Sequence, residues 1–194
     1  MAEEQIKTVD GQPLSAESAQ LLEHLHSRAA SLGPAGIRDR VRAAAAEFEN
    51  VAASVSDEEA RRHSIPGKWS IAEIVDHLAQ TQIRSAEELR HLLAGKRPPR
   101  PPVFEGLRSG APGWVSWPEL QDGLRAANAE VVALLTQAAE GPEPTPATVP
   151  AILVVGSQKF VAELGWREYA LTSRLHLIEH RNQIKKLCAA AATA

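Results

Sequence analysis

Three histidines carry what chemistry this chain shows. His176 and His180 stand four residues apart in Leu-His-Leu-Ile-Glu-His-Arg-Asn-Gln-Ile, and His77 lies in Ser-Ile-Ala-Glu-Ile-Val-Asp-His-Leu; both stretches read as helix. Residues four apart on a helix project to one side, about 40° apart around the axis, so the pair turns both imidazoles the same way. Imidazole nitrogen suits divalent transition metals. Two such ligands from one helix and a third from another form a site with an open position, which is what a catalytic metal needs. The residues alone leave a second reading open. On a helical wheel Tyr169, Ser173, His176, His180, Ile184 and Leu187 share one stripe. An imidazole among apolar neighbours needs a partner, and a hydrogen bond serves as well as a metal. His77 sits beside Ile74 and Thr81 at the edge of its stripe; by itself it reads as a rim histidine that reaches solvent or caps a carbonyl.

Other signals narrow the classes. His24, His26, His63 and His91 read as surface residues, and the single cysteine, Cys188, reads as a small residue near the C-terminus. No phosphate-binding glycine loop, dinucleotide fingerprint, C-x-x-C, H-E-x-x-H or G-x-S-x-G is present. A net charge of −3 gives no reason to expect nucleic acid or an anionic membrane as partner. The acidic start, Met-Ala-Glu-Glu-Gln, has no apolar core of a signal peptide, and the longest aliphatic run, Ala151 to Val155, is far too short to span a bilayer. With one cysteine and no export signal, the expected location is the cytoplasm.

The elements that must position the histidines are marked by their starts. At 194 residues the chain suits one domain with a substantial core. Residues 1–14 read as a loose tail, and Ser15 caps a first helix to about Leu32, ended by Gly33-Pro34-Ala35-Gly36. A second helix is expected over 37–54. Ser56-Asp57-Glu58-Glu59 opens a short one. Trp69-Ser70-Ile71-Ala72-Glu73-Ile74 is the clearest start, with Ser70 as cap, Glu73 as its partner and Trp69 against Ile74. That helix runs to about Ala94, where Gly95-Lys96-Arg97-Pro98-Pro99 stops it; a proline- and glycine-rich loop continues to Gly113. Ser116-Trp117-Pro118-Glu119 opens a helix to about Ala139. After a second proline-rich loop, Ala151 to Val155 fits either a short strand or a buried plug. The last helix starts near Gly165-Trp166 and runs to about Leu187. The reading is all-α: a four-helix bundle with an extra N-terminal helix and long crossover loops. Its parts are residues 1–36 (tail and accessory helix), 37–188 (bundle) and 189–194 (C-terminal tail).

Two segments resemble the DinB-like superfamily of metal-binding four-helix bundles. The first is Pro66-Gly67-Lys68-Trp69-Ser70-Ile71-Ala72-Glu73-Ile74-Val75-Asp76-His77-Leu78, similar to that family's Trp-Ser/Thr helix start, Glu three residues on and His-Leu. The second is Phe160-Val161-Ala162-Glu163-Leu164-Gly165-Trp166-Arg167-Glu168-Tyr169 followed by His176, His180 and Gln183, similar to the family's final helix. The resemblance spans residues 37–188 and implies that His77, His176 and His180 bind a divalent metal ion: zinc, nickel or iron. Glu73, Thr81, Ser173 and Gln183 are the candidates, by helical phase, to hold the free ring nitrogens. The family includes thiol-S-transferases that use low-molecular-weight thiols and a maleylpyruvate isomerase. The implied function is thus a metal-dependent thiol transferase or hydrolase acting on a small molecule; the alternative is a non-enzymatic metal- or ligand-binding bundle in stress response. The sequence places no carboxylate clearly enough to name a general base, Glu73 and Glu163 being no more than guesses, and a spare apolar face of the bundle would suit a homodimer.

Overall fold

The computed structural model describes residues 8–100, 102, 106–109 and 113–191. The chain forms α1 (Ala16–Ser31), α2 (Pro34–Ala53), α3 (Asp57–Arg61), α4 (Ile71–Leu93), α5 (Trp117–Glu140), β1 (Val149–Val155), β2 (Gln158–Leu164) and α6 (Trp166–Ala191). The helix starts follow the chemistry of their caps. Ser70, Ser56 and Ser116 each accept the N–H of a glutamate three residues on, and each glutamate carboxylate accepts the serine's own N–H. Each capping box thus satisfies two helix-end donors. The Gly33-Pro34 pair does more than stop α1. Pro34 occupies the first turn of α2, where its missing N–H costs nothing, so α2 begins three residues earlier than expected.

The fold is mostly helical but not all-α. β1 and β2 form an antiparallel hairpin with Leu153 opposite Phe160 and Val149 opposite Leu164. Gly156, with φ of 59°, makes the turn. Ala151 to Val155 is therefore strand, and Phe160 to Leu164, quoted in the resemblance but ahead of the expected helix start near Gly165, is strand as well. Phe160, Ala162 and Leu164 are buried in alternation, the period of a half-buried strand. The segment 8–14, expected as loose tail, lies on this hairpin: Thr8 is buried and bridges Phe160, and the Ser15 N–H donates to Gln158 Oε1 at 2.8 Å. Residues 1–7 of that tail lie outside the described residues.

Four long helices close on one another. α4 packs against α5 and α6, and α2 packs against the same two. α1 lies along α6 and contributes Leu22, Leu25 and Ala29 to the apolar cluster that holds Phe160 and Leu164. A second cluster gathers Phe48, Ile74, Leu78, Leu124, Leu177 and Ile184. Polar side chains lie buried in the same helices: Ser173 Oγ donates to Gln82 Oε1 at 2.8 Å, Gln82 Nε2 to Asn128 Oδ1 at 2.9 Å, and Asn128 Nδ2 to Glu49 Oε1 at 2.7 Å. This chain ties α6, α4, α5 and α2 in one register, since a shift in any helix would leave a buried group unpaired. Among the described residues no helix is long and apolar enough to cross a membrane.

Candidate metal centre

The capping box at Ser70 sets the phase of α4, and the second turn of that helix carries His77 inward, where it is 7% exposed. α6 meets it with His176 and His180 on one side, one turn apart. Leu78 and Leu177, both fully buried, back the two helices at this level. His77 Nε2 lies 3.0 Å from His176 Nε2, and His180 Nε2 lies 2.9 Å from the same atom. The three rings stand edge to face, with centroids 4.5 to 5.1 Å apart. The structure thus joins the three residues singled out by the sequence into one cluster able to hold a metal ion.

Protonation decides what that cluster can do. His77 Nδ1 is 2.7 Å from the carbonyl oxygen of Leu107, which only accepts, so the ring donates from Nδ1. His180 Nδ1 is 2.8 Å from Gln183 Oε1 and donates in the same way. Each neutral ring has one proton, so both Nε2 atoms present bare lone pairs to His176 Nε2. That atom can carry one proton and satisfy one neighbour, and the other contact then sets lone pair against lone pair. A cation at the centre removes the conflict. Tetrahedral coordination with metal–nitrogen distances of about 2.0–2.1 Å puts ligand nitrogens about 3.3–3.4 Å apart, close to the observed spacings. The rings are also kept neutral: burial lowers His176 to about 3, helped by the charges of its two partners, and lowers His180 to about 4 against the Gln183 hydrogen bond. His77 is lowered by burial too, opposed by the Leu107 carbonyl and the Asp76 charge.

Of the four side chains expected on the free ring nitrogens, only Gln183 is there. Glu73 caps Ser70 and reaches Arg108, Thr81 donates to the His77 backbone carbonyl, and Ser173 donates to Gln82. Glu163, suggested as a base, is bound by Arg97 and Thr148 on the hairpin, away from the histidines. The residues not foreseen come from the crossover loop. Leu107 supplies the carbonyl, the Ser109 N–H donates to buried Asp76 at 2.9 Å, and the Arg108 guanidinium lies over Trp69, 5.0 Å from the ring centroid. Trp69 in turn stands 5.1 Å from the His77 ring. His24, His26 and His63 are exposed, as expected; His91 is half-buried, and Cys188 is exposed.

A family model described as the DinB superfamily matches residues 40–184, which include the whole of α4 and α5 and all three histidines. No curated protein and no solved structure matches the chain.

Proposed function

The chain belongs to the DinB superfamily, and from that premise we propose that its three-histidine centre holds one divalent metal ion and serves a thiol-transfer or hydrolytic reaction on a small molecule. The ring formed by α2, α4, α5 and α6 is on this reading the family's four-helix bundle. The observation that carries the proposal is the pair of fixed imidazoles: Leu107 and Gln183 hold the protons of His77 and His180 on the far nitrogens, so that two lone pairs are aimed at the third ring. Zinc, nickel and iron all suit three imidazoles. Such a metal, when bound, supplies an open position at which a thiol or a water is held deprotonated near neutral pH. The chain's own residues do the rest. His77, His176 and His180 stay neutral through burial and present nitrogen without competition from protons at pH 7. Trp69 packs beside the His77 ring, 5.1 Å between centroids. A low-molecular-weight thiol as co-substrate and a second copy of the chain as partner complete the proposal.

The test is metal content by mass spectrometry of wild type and of His176→Ala. About one metal per chain, lost in the variant, is the expected result. A wild type that is metal-free and also refuses zinc, nickel and iron would overturn it. Turnover is read on panels of electrophiles with small thiols and on esters. Undiminished activity in the His77→Ala, His176→Ala double variant would remove the catalytic part, and metal retention with no turnover would leave a binding module.

A further inference from the structure

Four consecutive loop residues, 106–109, each meet the start of α4 or Trp69 just ahead of it in a different way. Gly106 does so by lacking a side chain: a Cβ there would lie 2.9 Å from Trp69 Cη2 and 3.4 Å from His77 Nδ1. Leu107 offers its carbonyl to His77, Arg108 lays its guanidinium over Trp69, and Ser109 gives its N–H to Asp76 Oδ2 at 2.9 Å. Asp76 is the anomaly. It is a carboxylate only 3% exposed, next to a metal-site histidine, yet it stands outside the cluster of residues able to hold the ion. Neighbouring positions on a helix point about 100° apart, so Asp76 faces the loop while His77 faces α6. Burying a carboxylate is costly unless it is hydrogen-bonded. This one is spent on a backbone N–H two residues beyond the carbonyl that sets the His77 ring.

We propose that Asp76 is a positioning residue: by holding the Ser109 N–H it seats the Leu107 carbonyl on His77 Nδ1 and so fixes which nitrogen of His77 faces the metal. The logic is mechanical. Arg108, over Trp69 and within reach of Glu73, holds the loop by its side chain; the Asp76 bond holds its backbone, and without it the Leu107 carbonyl shifts and the His77 proton can sit on either nitrogen. In the Nε2–H form His77 cannot bind a metal at that atom. Only the Nδ1–H form is competent, so any population of the other weakens affinity in proportion. Loss of a group that holds the free nitrogen of a metal-bound histidine, as the Leu107 carbonyl does here, typically costs metalloproteins about 10- to 100-fold in metal affinity.

This rests on the metal-centre reading, and the experiment separates the two. The tautomer of His77 is read directly from imidazole nitrogen shifts by NMR in metal-free full-length protein, and zinc affinity is read by competition with a chromophoric chelator. Asp76→Ala and Ser109→Pro break the same hydrogen bond from opposite ends, and the second leaves the helix untouched should the first fail to fold. The expected result is an Nδ1–H ring in wild type, a ring shifted mostly to the Nε2–H form in both variants, and zinc affinity weakened by the reciprocal of the Nδ1–H fraction left, about 10-fold when a tenth remains. Asp76→Asn, which keeps an acceptor oxygen, restores both readouts. Wild-type tautomer and affinity in the folded variants would overturn the proposal. If the wild type binds none of zinc, nickel and iron, the metal-centre reading fails, while the tautomer comparison still decides the role of Asp76.

Discussion

α4 and α6 bury polar groups against each other at two levels, and the two clusters are chemically opposite. Near the start of α4, three imidazoles bring three nitrogens together with at most one proton to share among them. Three turns later, the Glu88 carboxylate accepts the Tyr169 hydroxyl and the Arg84 guanidinium, with Ser85 beside the phenol. Burial, with the Glu88 charge next to it, pushes the Tyr169 pKa up, so the phenol keeps the proton that this hydrogen bond needs. There donors and acceptors balance inside the chain. Among the histidines they do not. Burial is common to both clusters; what marks the histidines as a site is that their own chain leaves them short of a positive charge.

Acid sharpens this contrast most. Burial lowers His176 to about 3 and His180 to about 4, whereas in the unfolded chain both titrate at about 6.5. Below pH 6.5 the unfolded state therefore takes up protons that the folded state refuses, and stability falls as pH drops from about 6.5 toward 4. Chelator-treated protein should lose about 2–4 kcal/mol between pH 6.5 and 5, since each histidine contributes up to about 1.4 kcal/mol per pH unit. Urea midpoints across that range check it. The His176→Ala, His180→Ala double variant should show a much flatter profile; a slope equal to that of wild type would mean that the acid sensitivity arises elsewhere.

A smaller effect comes from the balanced cluster. Tyr169→Phe removes one hydrogen bond to a buried carboxylate and should cost about 1–3 kcal/mol in urea denaturation. Metal content should not change. A variant that keeps its stability but loses its metal would dissolve the distinction between the two levels.

How much of this was legible in the sequence depends on whether side chains or backbone do the work. The histidines were legible because their spacing and flanking residues are side-chain signals, and the helix starts because Ser70 and Glu73, like Ser116 and Glu119, are capping pairs. The hairpin was not. Ala151 to Val155 is a short apolar run that suits strand or core alike, and the alternation of Phe160, Ala162 and Leu164 covers too few residues to mark a second strand ahead of the last helix. The Leu107 carbonyl was beyond reach, since every residue has one and this one comes from a loop thirty positions along the chain from His77. Asp76 shared that fate: its meaning depends on Ser109, which only the folded loop brings near. Trp114 is 90% exposed, whereas Trp117 and Trp166, also at helix starts, are buried, a difference that residue type alone does not signal.

The smallest expected effect separates the two acceptors within the histidine cluster. His77 is held by a backbone carbonyl on a loop anchored at Asp76, and His180 by the side chain of Gln183, less than one turn further along the same helix and half-buried. A side chain at that position can be replaced by water, which makes a hydrogen bond nearly as good as the one it substitutes. Gln183→Ala should therefore weaken zinc binding less than tenfold, at or below the low end of what such partners are worth. It should leave the His77 tautomer as it is, with the chelator competition and the imidazole nitrogen shifts as readouts. A loss as large as that of Asp76→Ala would show that the two rings are held alike, and that the crossover loop has no special part in setting the centre.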